Sequence, residues 1–291
     1  MKPTLLMSSR RTVLRLGAAV GTALALWPLA GCQGGPRMAE KMIAGTVWQP
    51  DNQTLEPKGS WERLGARILL VQWTAVDDVS FVADGPWPPA TKLPDWEAIA
   101  RQPWAQEVIL GLAGRSDETA ARADAAGLVA VSEQLARLPT PLNVVGWYFP
   151  VELDSSWQDA VQLGPLLARL PRPLWLSLYD SANIGAHLLA EWVDRWLPPD
   201  IGIFFQDGVG VHARTAAVAR EHADVLIGRL GRARVRVIAE AFRPQPGGGF
   251  RPATADELRV QLVAYEGLPV YLFDGPHYVP EAVVNALVLN P

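Results

Sequence analysis

The stretch Asn143-Val-Val-Gly-Trp-Tyr-Phe-Pro-Val-Glu-Leu-Asp-Ser-Ser-Trp157 decides the fold that this sequence predicts. Its first half is a short apolar run rich in β-branched and aromatic residues, which indicates a buried strand. Pro150 is expected to end that strand. Two carboxylates, Glu152 and Asp154, and the aromatic Trp157 follow directly. The prediction of a fold starts from this pattern of a buried strand with acids at its end.

The same layout recurs four times further along the chain. The four later strands with their acids span residues 174–180, 201–207, 235–240 and 270–274. Three apolar strands precede the first stretch, at residues 42–48, 67–73 and 107–113. Acids gathered at the same end of successive parallel strands are typical of barrel enzymes, whose active sites lie at the carboxyl ends of the strands.

Helical patterns alternate with these strands. They cover residues 60–66, 95–105, 116–137, 155–170, 184–197, 212–230, 254–265 and a short segment that begins near Pro280. Alternating strands and helices predict a parallel sheet with helices outside it. Eight such units favour a closed (β/α)8 TIM barrel over an open sheet. No G-x-G-x-x-G motif follows the first strand and no P-loop sequence occurs, so the sequence lacks the signature of a nucleotide-binding fold.

The amino-terminal residues predict export. Arg10-Arg11 precedes an apolar run at residues 16–30, a layout typical of a signal peptide that resembles the twin-arginine type. Leu29-Ala-Gly-Cys32 resembles a bacterial lipobox, which implies cleavage before Cys32 and a lipid anchor on it. The alternative is an ordinary signal with a coincidental cysteine. The predicted organisation is a signal peptide at residues 1–31, a tether at 32–41 and a barrel at 42–291.

Gln33, which follows the cysteine, is similar to the residue that directs lipoproteins to the outer membrane. The resemblance implies an exported protein that is anchored in the membrane through Cys32, on the periplasmic face of the outer membrane.

Composition disfavours several classes of protein. The net charge is -4 and no basic block is present, which argues against nucleic-acid binding. The single cysteine lies in the targeting segment, so the barrel is predicted to have neither a disulfide nor a thiol metal site. The four histidines lack the spacing of zinc ligands. We therefore predict no metal and no cofactor, and the sequence leaves the oligomeric state open.

Two glutamates carry the predicted chemistry. Glu152 follows strand four and Glu240 ends strand seven. Two carboxylates that face each other across a barrel mouth can cleave a glycosidic bond, with a separation of about 5–5.5 Å for retention and roughly 6.5–9.5 Å for inversion. One must stay protonated while the other stays ionised. The alternatives are structural: Glu152 caps a helix or pairs with an arginine, and Glu240 pairs with Arg243 or Arg251.

Further polar and aromatic residues near the strand ends are predicted to bind substrate. The aromatic candidates for stacking on sugar faces are Trp48, Trp73, Trp147, Tyr148, Trp157, Tyr179 and Phe242. The polar candidates are Asp180, Asn183, Gln206, Asp207, Asp274 and His277, with Tyr278 beside the last. Structural alternatives remain open here too, because Asp207 can form an Asp-Gly turn and Asp180 and Asn183 can cap a helix.

Acids after strands four and seven resemble the arrangement in the large clan of retaining TIM-barrel glycoside hydrolases. That resemblance implies that Glu152 is the acid/base and Glu240 the nucleophile. The clan usually has asparagine directly before its acid, whereas Val151 stands here.

A closer resemblance is to a family of uncharacterised bacterial barrel domains described as glycosidase-like. It covers most of residues 42–278, and its motifs are Gly45-Thr-Val-Trp48, Trp147-Tyr-Phe-Pro-Val-Glu152, Phe205-Gln-Asp-Gly-Val-Gly210 and Glu240-Ala-Phe242. This resemblance implies a barrel fold and, by analogy, an oligosaccharide or polysaccharide partner.

The sequence is consistent with three hypotheses about function. The first is a glycoside hydrolase of the cell envelope that uses Glu152 and Glu240. The second is a non-catalytic lipoprotein that binds a polysaccharide during its secretion. The third is a metal-dependent hydrolase that uses Asp77, Asp207 and Asp274.

Overall fold

A computed structural model describes residues 42–51 and 54–289. The predicted signal peptide, the predicted lipid attachment at Cys32 and the predicted tether lie outside the described residues, so these stay predictions. Within the described ranges, no helix is both long and apolar enough to cross a membrane.

Eight parallel strands close into a barrel, which confirms the predicted (β/α)8 fold. In chain order they are β1 (Gly45–Trp48), β2 (Ile68–Val71), β3 (Glu107–Gly111), β4 (Val144–Asp154), β5 (Leu174–Tyr179), β6 (Ile201–Gln206), β7 (Val235–Glu240) and β8 (Val270–Phe273). Each strand pairs with the next in sequence, and β1 closes the ring by pairing with β8. All strand ends that carry acids therefore meet at one mouth.

Helices surround the barrel between its strands. They are α1 (Trp96–Ala100), α2 (Glu118–Ala123), α3 (Ala125–Leu135), α4 (Leu163–Leu167), α5 (Ala186–Trp196), α6 (Ala216–Leu230), α7 (Ala255–Ala264), α8 (Gly275–Tyr278) and α9 (Glu281–Leu289). Short 3-10 turns occupy Trp61–Leu64, Gln158–Gln162 and Arg232–Arg234. The helix predicted at residues 116–137 is divided at Asp124, which separates α2 from α3.

Alternation along the strands separates the inside of the barrel from its helix-facing side. On β7, Ile238 belongs to the inner cluster, whereas Val237 and Ala239 pack in the outer core. Successive side chains of a strand point to opposite faces, so Glu240 points inward like Ile238. Arg236 occupies the same inner face near the start of the strand, where its guanidinium carbon lies 3.9 Å from the Trp175 ring centroid.

The prediction that Pro150 ends the fourth strand is wrong. Strand β4 continues to Asp154. Phe149 is opposite Leu176 and Leu153 is opposite Leu178 on β5, with an irregular register between them, so β4 bulges here. Proline has no N–H to donate, and bulges are among the few places where a sheet accepts it. The bulge makes Glu152 a strand residue rather than a loop residue.

Two insertions at the mouth are folded rather than irregular. In the segment after β2, strand Ala75–Val76 pairs with Val79–Ser80 on one side and with Ala113–Gly114 on the other. Leu55, Trp73, Val76, Phe81 and Ala90 form a separate small core there. The Gly/Pro-rich segment after β7 is a hairpin of Phe242–Pro244 with Phe250–Pro252. Both insertions therefore present ordered walls to the mouth.

Close contact between β2 and β3 depends on Gly111. A Cβ atom built at this position would lie 2.3 Å from the main-chain carbon and oxygen of Gln72. These are backbone atoms of the barrel wall and cannot rotate away.

We expect Gly111→Ala to lower the free energy of unfolding by about 2 kcal/mol, measured by urea denaturation. Gly228→Ala in α6, where no atom lies within 4 Å, is the control and should stabilise by about 0.5 kcal/mol. Equal effects would contradict the close approach.

Candidate functional site

Glu152 reaches into the mouth from the bulge of β4. Its Oε2 accepts a hydrogen bond from Gln206 Nε2 at 2.5 Å. The same nitrogen donates to Ser177 Oγ at 2.5 Å, so both N–H groups of the Gln206 amide are used. The Glu152 side chain is 20% exposed. This carboxyl is thus fixed in position and still reachable from solvent.

Helix α2 supplies a charged residue of each sign beside Glu152. Arg122 Nη2 lies 3.8 Å from Glu152 Oε1, and Arg122 Nε donates to the Glu152 carbonyl at 3.2 Å. The Arg122 guanidinium also lies over the Trp157 ring, 5.6 Å from its centroid. Glu118 Oε2 accepts the Glu152 N–H at 3.1 Å. The arginine pairing that the sequence left open is therefore present, at the long end of ion-pair distances.

Burial dominates the titration of Glu152. Desolvation, followed by the nearby Glu118 carboxylate, raises the pKa of Glu152 to about 7, while Gln206 and Arg122 act in the opposite direction. Burial raises the pKa of Glu118 as well. A carboxylic acid that keeps its proton close to neutral pH is the property required of a general acid.

A pocket of about 70 Å³ opens beside Glu152 inside the mouth. Its polar lining consists of Gln72, Tyr148, Glu152, Ser177 and Gln206. The sequence predicted Tyr148, Glu152 and Gln206 as site residues but not Gln72 and Ser177. Both missed residues lie on inward positions, two after Leu70 and two after Trp175, which belong to the inner cluster. Strand alternation was the signal that could have found them.

Glu240 lies at the end of β7 beneath the loop that follows β6. Its Oε2 accepts the Gly210 N–H at 2.6 Å and the Val211 N–H at 3.3 Å, and the residue is only 5% exposed. Burial, followed by the negative charge of Asp207, raises the pKa of Glu240. The Glu240 carboxylate pairs with neither Arg243 nor Arg251. Arg243 donates to the main-chain carbonyls of Glu240 and Phe242 and to Gln261 Oε1, and Arg251 donates to Glu257.

Tyr179 lies at the end of β5, where the charges of both glutamates act on its hydroxyl. Burial, followed by the charges of Glu240 and then Glu152, raises the pKa of Tyr179. The Arg214 guanidinium carbon lies 5.3 Å from the Tyr179 ring centroid, and its Nη2 donates to the Asp180 carbonyl at 2.6 Å. The two glutamates therefore belong to one electrostatic environment at one mouth.

A larger cleft of about 370 Å³ lies beyond β1, β2 and β3. Trp73, Val76, Val79 and Phe81 give it apolar walls, and its polar lining comprises Gln49, Asp51, Asp77 and Ser116. Asp77 is held there by Ser116, whose Oγ donates to Asp77 Oδ2 at 2.6 Å. Neither Glu152 nor Glu240 lines this cleft, so its volume lies apart from the paired acids.

Four predicted ligand-binding residues are buried and hydrogen-bonded within the fold, which favours a structural role for them. Trp48 is fully buried and its Nε1 donates to the Thr54 carbonyl. Asp180 accepts the N–H groups of Ile184 and Gly185 just before α5, the structural alternative that the sequence left open. Asp207 and Asp274 are also buried, at 0% and 1% exposure. Asp274 accepts the Gln49 N–H at 2.7 Å.

The remaining predicted residues are spread around the mouth. Trp147 and Trp157 pack partly buried against the outer core, and Phe242 is buried against Phe250, Phe273 and Tyr278. Asn183 is exposed and accepts a hydrogen bond from Arg214. His277 contacts Asp274, and this carboxylate raises the pKa of the His277 ring.

The carboxylates of the proposed metal hydrolase do not converge. Asp207 accepts hydrogen bonds from α7, Asp274 binds the loop after β1 and Asp77 binds Ser116. Among residues 42–51 and 54–289, no group of three or more His, Cys, Asp or Glu side chains is arranged to hold a metal ion. The metal-dependent alternative is therefore not supported by this geometry.

The raised pKa of Glu152 predicts a dependence of stability on pH. The folded state favours the protonated carboxyl, so this stabilisation is complete below the ordinary pKa of 4.5 and is lost as pH rises through about 7. Glutamine mimics the protonated form. We expect Glu152→Gln to unfold like the wild type at pH 4.5 and to be more stable by about 2 kcal/mol at pH 8.

Urea denaturation at both pH values measures this difference. Glu221→Gln, which replaces an exposed glutamate on α6, is the matched control and should follow the wild type at both. A Glu152→Gln protein that is less stable than the wild type at pH 8 would contradict the burial argument.

No protein-family model matches this sequence, and no curated protein matches it. Among solved structures, it is similar to a putative alpha-L-fucosidase from Bacteroides thetaiotaomicron, with a TM-score of 0.55 and 14% identity over 91% of this chain and 96% of that one. A chitinase from Chromobacterium violaceum gives a TM-score of 0.46 and 12% identity over 86% of this chain and 100% of that one. The first likeness shows a barrel fold shared with a glycosidase-like protein. The resemblance to the family of uncharacterised, glycosidase-like bacterial barrel domains stays a prediction.

Proposed function

We propose that this protein is a glycoside hydrolase that acts on an oligosaccharide or polysaccharide, with Glu152 as the acid and Glu240 as the second carboxylate. One observation carries the proposal: the ends of β4 and β7 direct these two glutamates into the same mouth, and burial raises the pKa of Glu152 to about 7. The barrel that this chain shares with a glycosidase-like protein agrees with it.

The reaction follows from the two environments. Protonated Glu152 donates its proton to the glycosidic oxygen as the bond to the anomeric carbon breaks. Ionised Glu240 stabilises the developing positive charge and either attacks the anomeric carbon or deprotonates the incoming water. Burial and Asp207 raise the pKa of Glu240 to about 8, although its two backbone N–H donors and the Arg214 charge act in the opposite direction. The ionised form therefore requires that solvent or substrate reaches the Glu240 carboxyl. Because Glu240 is 5% exposed, the Gly210–Val211 backbone has to move aside when substrate binds.

Hydrolysis of a panel of aryl glycosides and bacterial polysaccharides tests this function. We expect one or more glycans to be cleaved, with turnover lost in both Glu152→Gln and Glu240→Gln while binding by calorimetry is kept. The anomer released first, read by NMR, separates direct attack from activation of water. Full activity in both variants would dismiss the proposal.

The larger cleft favours a second candidate, a non-catalytic protein that binds a polysaccharide during secretion. The cleft of about 370 Å³ is the size of a small-ligand pocket, and neither glutamate lines it. Under this alternative the wild type binds glycans without cleaving them. Trp73→Phe then weakens binding, whereas Glu152→Gln and Glu240→Gln do not.

Membrane attachment is the remaining part of the proposal. We infer a lipid anchor on Cys32 at the periplasmic face of the outer membrane, on the basis of the sequence Leu29-Ala-Gly-Cys32. Cys32→Ala should release the protein from the membrane fraction of a bacterial host, while the unaltered chain sediments with outer membranes. Equal sedimentation of both would argue against the anchor.

A further inference from the structure

Gln72 carries a polar atom that the fold leaves unused. The residue follows β2, and its main-chain N–H donates to the Trp48 carbonyl at 2.9 Å. Its side chain lines the small pocket in the mouth. Among the residues that the structure describes, Gln72 Oε1 is buried and has no hydrogen-bond partner. Buried acceptors are nearly always paired because leaving one unpaired loses its hydration without replacement.

The neighbouring polar groups explain why Gln72 stays unpaired. The Gln206 amide donates both of its N–H groups, one to Glu152 and one to Ser177. Protonated Glu152 and the hydroxyls of Tyr148 and Ser177 also line the pocket, but none of them is a hydrogen-bond partner of Gln72 Oε1. A molecule that enters the pocket can therefore supply the donor that the acceptor on Gln72 lacks.

The dimensions and charge of the pocket restrict what that molecule is. At about 70 Å³ it is far below the roughly 300 Å³ of the smallest typical ligand pockets, so it takes one substituent rather than a whole sugar ring. Val47, Leu70, Ile238 and Phe273 form its apolar walls, and none of its lining residues is cationic. A neutral hydroxyl fits this lining, because it donates to Gln72 and leaves a carbon against the apolar wall.

We propose that this pocket is a subsite for one hydroxyl-bearing substituent of a sugar, and that Gln72 Oε1 accepts the hydrogen bond from that hydroxyl. The inference rests on the proposed function only for the statement that the ligand is a carbohydrate. It makes Gln72 a residue that selects and positions substrate next to Glu152.

Crystals of the wild type and of Gln72→Met, soaked in glycerol as a generic hydroxyl probe, test the subsite directly. Methionine keeps the length of the side chain and removes its acceptor. We expect a glycerol hydroxyl within hydrogen-bond distance of Gln72 Oε1 in the wild type and an empty pocket in the variant. An ordered water as the sole occupant of the wild-type pocket at saturating glycerol would overturn the proposal, as would a Gln72 amide turned toward a protein donor.

Stability and turnover separate a binding role from a structural one. Gln72→Met should unfold at the same or a higher urea midpoint, because the variant removes an unpaired buried acceptor. On any glycan that the wild type cleaves, kcat/KM should fall about tenfold. Gln134→Met, an exposed position on α3, is the matched control and should change neither. Unchanged kcat/KM in Gln72→Met would refute the subsite while leaving the hydrolase intact. Glycerol bound at Gln72 in a protein without turnover would keep the subsite and refute the hydrolase.

Discussion

Glu152→Gln is expected to lower kcat/KM on an unactivated glycoside by about 1,000-fold, within the range of general acid catalysis. The amide keeps the size and one acceptor of the acid but cannot donate a proton to the leaving oxygen. A 2,4-dinitrophenyl glycoside, whose leaving group departs without a proton, should lose far less. The ratio of the two losses measures the acid role separately from any effect on binding.

The dependence of turnover on pH is a second test of Glu152 as the general acid. Glu152 must be protonated and its pKa is raised to about 7. The kcat of the wild type, which reports the substrate complex in which Glu240 is uncovered, should therefore fall as pH rises through about 7. Glu118→Gln keeps an acceptor for the Glu152 N–H and removes the charge that raises this pKa. The alkaline limb should therefore move to lower pH in Glu118→Gln.

Arg122→Met gives the opposite prediction. It removes a positive charge that lowers the pKa of Glu152, so the alkaline limb should move to higher pH. A limb that stays in place in both variants would show that Glu152 does not set it. Equal losses on the activated and unactivated glycosides would show that Glu152 is not the proton donor.

The fold was predictable because its signal is repeated eight times. Each buried run is short, apolar and followed by a helical pattern, so an error of a few residues at one boundary does not change the count. Pro150 misled the prediction because proline commonly ends strands, and only the pairing of β4 with β5 reveals a bulge that accommodates it.

The site was predictable only in part, because the direction of a side chain depends on register. Gln206 and Asp207 are adjacent at the end of β6, yet Gln206 faces the mouth and Asp207 faces the helices. The sequence marked both as ligand-binding. An acid at a strand end attracts attention, whereas an amide such as Gln72 does not, although strand alternation places it inside the mouth. The loop at Gly210 and Val211 covers Glu240 and leaves it only 5% exposed. The alternation of residues along a strand does not predict that a loop covers its end.

Asp207→Ala is expected to lower the free energy of unfolding by about 4 kcal/mol, which is large for a single substitution. Asp207 Oδ2 accepts hydrogen bonds from Gln261 Nε2 at 2.7 Å and from Tyr265 Oη at 2.8 Å, both on the α7 side of the barrel. Its Oδ1 accepts the N–H groups of Val209 at 3.1 Å and Glu240 at 3.2 Å. Removing the carboxylate leaves the buried Tyr265 hydroxyl and Glu240 N–H without this acceptor. Gln261 Nε2 keeps only the Glu240 carbonyl at 3.3 Å, and the part-buried Val209 N–H loses its acceptor. Each lost hydrogen bond costs about 1 kcal/mol or more.

A graded series distinguishes this structural role from the substrate contact that the sequence predicted for Asp207. Tyr265→Phe removes one of the four donors and should cost about 1 kcal/mol, so the double variant should be no less stable than Asp207→Ala alone, because the two changes share one hydrogen bond. Urea denaturation of the three proteins measures the series.

Asp207→Ala also removes a charge that raises the pKa of Glu240. The acid limb of the pH profile of any hydrolysis should therefore shift to lower pH in the variant protein that remains folded. A stable Asp207→Ala protein with a raised KM and an unmoved acid limb would instead return Asp207 to the substrate-binding residues. Such a result would require the carboxylate to turn from α7 toward the mouth. We do not expect this, because the Asp207 side chain is 0% exposed and accepts four hydrogen bonds where it lies.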